Sequence, residues 1–138
     1  MLLTIENNQT KLTVDTLGAQ MMNLQSADGT EYLWQGDPAY WADRSPVLFP
    51  FIGRLTNNTY QYHGKVYPMG IHGFAAASEF AVAEQSGDSV TLELCGDLQT
   101  KKQYPFDFTL RITYALQENN LQITYFVNNP GDSYLPFA

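Results

Sequence analysis

Phe108 to Val127 reads FTLRITYALQENNLQITYFV, and the two alternating runs inside it decide the fold class. Leu110, Ile112, Tyr114 and Leu116 fall on every second position, with Arg111, Thr113 and Ala115 between them. Leu121, Ile123, Tyr125 and Val127 repeat the pattern around Gln122, Thr124 and Phe126. A strand sends successive side chains to opposite faces, so each run predicts a half-buried strand. The polar QENN between them predicts a turn. The pair reads as an antiparallel hairpin with one face made for a core.

The same period of two runs outward along the chain. Strands are expected at Leu2 to Glu6, Lys11 to Asp15, Ala19 to Gln25, Tyr32 to Trp34, Thr59 to Tyr62, Lys65 to Tyr67, Phe80 to Gln85 and Val90 to Leu94. The separators ENNQ, DTLG, SADGTE, HG and QSGDS are turn formers at the spacing of sandwich strands. No window keeps a helical period for ten residues. The expectation is an all-β chain, an antiparallel β-sandwich forming one domain over residues 1–138. Alternation fails between Gln35 and Asn58, where three prolines, two glycines and several aromatics predict an ordered loop of the kind that carries function on a rigid scaffold.

Composition narrows the function classes. Apolar residues make up 44%, with nine Tyr, eight Phe and two Trp, while charged residues are only 15%, a globular rather than a disordered profile. Seven basic against fourteen acidic residues give a net charge of −7, the wrong sign for neutralising a phosphate backbone, so nucleic acid is not an expected partner. Cys95 is the one cysteine; no intrachain disulfide can form, and it reads as a small buried strand residue. The N-terminal MLLTIENNQT has no signal-peptide pattern, and no segment approaches 18 apolar residues. A soluble cytoplasmic protein without membrane contact is expected.

Few residues stand out as chemistry. His63, in YQYHGKVY, reads as an exposed turn residue beside Gly64. His72 lies between Gly70-Ile71 and Gly73-Phe74; an imidazole there is either a satisfied core histidine or a half-desolvated group that exchanges hydrogen bonds with a hydroxyl near neutral pH. Arg54 follows the uncharged run Val47 to Gly53 and needs an acceptor, either a carboxylate such as Asp43 or Glu79 or a ligand oxygen gripped by two parallel donors. Trp34, Trp41 and Phe74 are either core or an apolar floor for a sugar ring. No phosphate cradle, nucleophile elbow or metal-spaced ligand cluster is present in the pattern.

Taken together, LFPFIGRL (48–55), YQYHGKVYPMGIHGF (60–74), YPFDFTLRITYAL (104–116), LQITYFVNN (121–129) and LPFA (135–138) resemble, in the same order, the aldose 1-epimerase (galactose mutarotase) family in its bacterial branch with GRL at the arginine motif. The resemblance implies the N-terminal part of a galactose mutarotase-like β-supersandwich, an isomerase of free aldoses that uses no cofactor and no metal. It assigns sugar contacts to Arg54 and His72, with His72 also catalytic. A carboxylate takes the proton of the C1 hydroxyl, an imidazolium protonates the ring oxygen, and the opened ring closes on the other carbonyl face.

Relatives follow their PFA segment with a second histidine in GxHPxF, the general acid, and later with a glutamate base. This sequence ends at Ala138, so it is expected to be the N-terminal half of a longer enzyme and inactive alone. Ala75 and Ala76 stand where relatives often have Ala-Arg, which favours a free monosaccharide of the galactose or glucose type over a sugar phosphate. The alternatives are a carbohydrate-binding module without catalysis, or an inert half that forms a homodimer through open sheet edges.

Overall fold

The computed structural model describes residues 1–138. Nine strands alternate with turns and three single-turn 3₁₀ segments: β1 (Leu2–Glu6), β2 (Thr10–Asp15), β3 (Gln20–Ser26), β4 (Thr59–Tyr62), β5 (Lys65–Pro68), β6 (Ala81–Gln85), β7 (Ser89–Cys95), β8 (Thr109–Gln117) and β9 (Asn120–Asn128). They form three antiparallel sheets, β1-β2-β3, β4-β5 and β6-β7-β8-β9. The all-β expectation holds, and most strand limits agree to within a residue. β3 starts one residue later than expected because Gly18 (φ +70°) and Ala19 (φ +47°) are both left-handed, which interrupts extended backbone.

Alternation places the core as the hairpin pattern requires. Leu110, Ile112, Tyr114 and Leu116 of β8 are buried, as are Val90, Leu92 and Leu94 of β7, and they share one apolar cluster with Ile5, Leu12 and Val14 of the first sheet. The Tyr114 hydroxyl, buried between the sheets, donates to the Ala19 carbonyl at 2.6 Å. An aromatic group seals the end of the core: the Phe49 ring lies 5.0 Å from Phe108, 5.8 Å from Tyr104 and 6.0 Å from Phe74. The Phe49–Pro50 peptide bond is cis.

Three expectations need correction. Tyr32 to Trp34 is not a strand; the Glu31 carboxylate accepts from the backbone N–H groups of Leu24 (3.0 Å) and Leu33 (2.9 Å), taking donors that a sheet ladder would use. Cys95 is exposed rather than buried. It follows Thr91 and Glu93 on the face of β7 opposite Val90, Leu92 and Leu94, and its Sγ lies 3.8 Å from Thr109 Oγ1. The core face of β9 is only partly covered: Tyr125, paired with the buried Ile112, is 61% exposed.

Candidate functional site

The irregular segment between β3 and β4 is built by long-range backbone pairing. Val47 N–H donates to Gly18 O at 2.8 Å, fastening the loop to the β2–β3 connection. Two residues on, Phe49 O accepts from both Phe74 N (2.9 Å) and Ala75 N (3.2 Å). That close approach requires the glycine at 73. A Cβ there would sit 2.1 Å from Phe49 O, and the residue has φ +74°. His72, just before it, is itself left-handed at φ +68°, a conformation that costs free energy for a side chain with a Cβ and that tertiary contacts must hold in place.

Those contacts also orient the ring. His72 Nδ1 lies 2.6 Å from the Ile52 carbonyl oxygen. A carbonyl only accepts, so Nδ1 carries a proton and, in the neutral ring, Nε2 carries the lone pair. The imidazole is exposed and lines a cavity of about 700 Å³ together with Leu17, Gln20 and Met22, the loop from Trp41 to Pro46, Leu48 and Ala76. Its lining is mixed, with apolar surface from Trp41, Met22 and Leu48 and polar groups from Gln20, Asp43, Ser45 and His72.

Arg44 holds the cavity's loop wall. Its Nη1 donates to the carbonyls of Met22 (2.7 Å) and Trp34 (2.9 Å), and Nη2 donates to Gln35 O. One planar fork thus ties β3, the 34–35 segment and its own loop together, a geometry lysine cannot copy. The guanidinium is therefore committed to carbonyls. The sequence pattern did not single out this residue: its partners lie nine to twenty-two positions away, and its only signal was membership of the irregular segment.

Arg54 is placed differently. It is exposed, its one side-chain hydrogen bond is a long one from Nη1 to Asn58 Oδ1 at 3.3 Å, and it is absent from the lining of the His72 cavity. Neither carboxylate named from the sequence pairs with it; Glu79 instead accepts from Thr16 Oγ1 and lies 3.6 Å from the N-terminal amine. Ile52, which anchors His72, is two residues from Arg54 in the chain, so the two candidate residues sit on adjoining segments without sharing that cavity. Trp41 lines it, Phe74 is core, and Trp34 donates its indole N–H to Trp41 O at 2.9 Å. His63 occupies the β4–β5 turn at φ +47° beside Gly64 at φ +76°, as its sequence context predicted. No three His, Cys, Asp or Glu side chains come together to hold a metal ion, and no helix is long and apolar enough to cross a membrane.

Comparison with known proteins agrees with this architecture along the whole chain. The family profile described as Aldose 1-epimerase matches residues 1–138. The plasmid-encoded LacX protein of Lactococcus lactis subsp. lactis is 36% identical over 134 residues, which cover 92% of this chain and 45% of that protein. The crystal structure of a galactose mutarotase related enzyme from Lactobacillus acidophilus superposes with a TM-score of 0.95 at 40% identity, covering 99% of this chain and 46% of the other. A galactose mutarotase-like protein from Lactobacillus casei gives 0.94 at 37%, with 99% and 47% covered. The chain thus spans about half the length of the relatives it matches. With its whole length matched and its strands superposed on these structures, the chain belongs to the aldose 1-epimerase family.

Proposed function

We propose that this chain provides the sugar-holding part of an anomer-interconverting site for free hexoses of the galactose and glucose type. The observation that carries the reading is His72, with Nδ1 pinned by the Ile52 carbonyl and its ring in the wall of a mixed polar and apolar cavity. With Nδ1–H committed, Nε2 accepts a hydrogen bond from a sugar hydroxyl when neutral and donates to the ring oxygen when protonated. Proton loss from the C1 hydroxyl, proton gain at the ring oxygen and cleavage of the C1–O bond give the open aldehyde. Rotation and closure on the other face return the proton and yield the other anomer. Arg54 lies outside that lining, on the segment that carries Ile52, and is held only by a long hydrogen bond to Asn58; its role is a secondary one, offering donors to a hydroxyl that reaches past the cavity's edge.

A polypeptide of these 138 residues brings one imidazole and one carboxylate, Asp43, to the cavity, and no hydrogen bond joins them. His63 is on the β4–β5 turn and does not line the cavity. Positioned acid and base groups typically each contribute about 10²–10⁴-fold, so this polypeptide binds sugar but turns it over little faster than buffer does. The single cysteine and acidic balance suit the cytoplasm, the compartment we assign. The test pairs polarimetry on freshly dissolved α-galactose with amide shift mapping. Sugar-dependent shifts at His72 and Arg54, with relaxation near the buffer rate, are expected. Absence of saturable shifts, or rapid mutarotation that survives His72→Asn, overturns the reading.

A second reading concerns association. β9 is the outermost strand of its sheet, has no charged residue in nine, and exposes Tyr125 and Phe126. Such an edge lacks the usual protection against pairing, and we propose that it pairs two copies. Sedimentation should show a dimer that Thr124→Lys dissociates; a monomer at high concentration removes the proposal.

A further inference from the structure

The most exposed aromatic wall of the His72 cavity has no structural duty that explains it. Trp41 is 56% exposed, and its indole N–H has no protein acceptor, in contrast to that of Trp34. Its backbone is nevertheless held on three sides. Trp41 N–H donates to Asp37 O at 2.9 Å, Trp41 O accepts from the Trp34 indole at 2.9 Å, and three residues on Arg44 clamps the loop to Met22, Trp34 and Gln35 carbonyls. A large apolar ring left open to water on a backbone this well fastened is the arrangement of a preformed ligand platform, since the ordering cost is met before binding.

We propose that Trp41 is a specificity-determining residue whose indole carries the C–H face of a pyranose ring while Gln20, Asp43 and His72 read hydroxyls at the ring's edge. The inference rests on the proposed sugar role of the cavity and deepens it. A flat π face is complementary to a ring whose C–H bonds gather on one side, as C3–H, C4–H and C5–H do in galactopyranose, and less so to the C4 epimer, where they alternate. The one strong cation in the lining, Arg44, spends three of its five N–H donors on carbonyls, which leaves it fewer with which to grip a charged 6-phosphate.

The chain has two tryptophans, so its ¹H–¹⁵N spectrum carries two indole signals, and the one missing in Trp41→Leu belongs to Trp41. In the 138-residue protein, galactose should shift that signal and show intermolecular NOEs from the indole to H3, H4 and H5. Trp41→Leu should weaken galactose binding about tenfold, with a smaller loss for glucose, while Trp41→Phe keeps most of the affinity. Wild-type galactose affinity in Trp41→Leu, or saturable binding without indole NOEs, overturns the inference while leaving the sugar site standing, provided His72→Asn still abolishes binding. If no sugar saturates the wild-type protein, both readings fall. Should Trp41→Leu unfold, Trp41→Phe and the wild-type NOEs decide alone.

Discussion

Replacing Gly73 with alanine tests whether the backbone crossing at Phe49 builds the site. The structure sets the cost in two parts. An alanine at φ +74° pays roughly 1 kcal/mol for the left-handed conformation. Its Cβ would also lie 2.1 Å from Phe49 O, 2.5 Å from Phe49 C and 2.7 Å from Pro50 Cδ, all backbone or ring atoms that cannot rotate aside. Relief demands separating the two segments, which strains or breaks the hydrogen bonds from Phe74 N and Ala75 N to Phe49 O, each worth about 1 kcal/mol net. The sum, about 3 kcal/mol, is a large share of the stability of a single domain and corresponds to a fall in Tm of roughly 10 °C. Because Gly73 follows His72, the same shift should displace the imidazole from the Ile52 carbonyl and weaken the proposed sugar binding. Urea denaturation followed by circular dichroism measures the first effect and amide shift titration the second. Gly70→Ala is the control: nothing lies within 4 Å of a Cβ there and its φ is not positive. A Gly73→Ala protein with the wild-type urea midpoint would refute the argument outright.

Two further outcomes follow from the same geometry. Arg44→Lys keeps the charge but cannot fork to the carbonyls of Met22, Trp34 and Gln35, so it should cost about 1–2 kcal/mol and expose the 36–46 backbone to faster hydrogen exchange; unchanged exchange there would deny the clamp. The Tyr60 phenol is pushed up from its ordinary value of 10 to about 12, by burial first and by the neighbouring Tyr67 second. The folded state holds that proton more tightly than the unfolded chain, so its contribution to stability is complete below pH 10 and is lost as pH rises towards 12. Alkaline titration at 295 nm should show Tyr60 ionising above the ordinary phenol value of 10, and Tyr60→Phe should flatten the loss of stability between pH 10 and 12. A stability profile over that range unchanged by Tyr60→Phe would contradict the assignment.

Much of the architecture was legible because it rests on local regularities. The two-residue period of Leu110 to Leu116 depends only on backbone pleat, and the core face of β8 followed from it. The His63-Gly64 turn was readable for the same reason, since its left-handed backbone is a property of two adjacent residues. Where a side chain displaced a backbone partner, local reading failed: the Glu31 carboxylate claims the N–H groups of Leu24 and Leu33, and Tyr32 to Trp34 is not a strand. Cys95 was misjudged because residue type suggested burial while its parity along β7 turned it outward.

For the site, the sequence left the roles of Arg54 and His72 open until the resemblance to the aldose 1-epimerase family assigned them, while broken periodicity by itself marked Gln35 to Asn58 as a loop of the kind that carries function. Only the tertiary structure decided what each group faces. It put His72 in the wall of a cavity with its Nδ1 on Ile52, left Arg54 outside that lining, and recruited Arg44 and Trp41 as clamp and wall. The reason is physical. A hydrogen bond from Arg44 to a carbonyl twenty-two residues away, or the packing of Gly73 on Phe49, depends on distances that chain folding sets, and no local period or spacing encodes them.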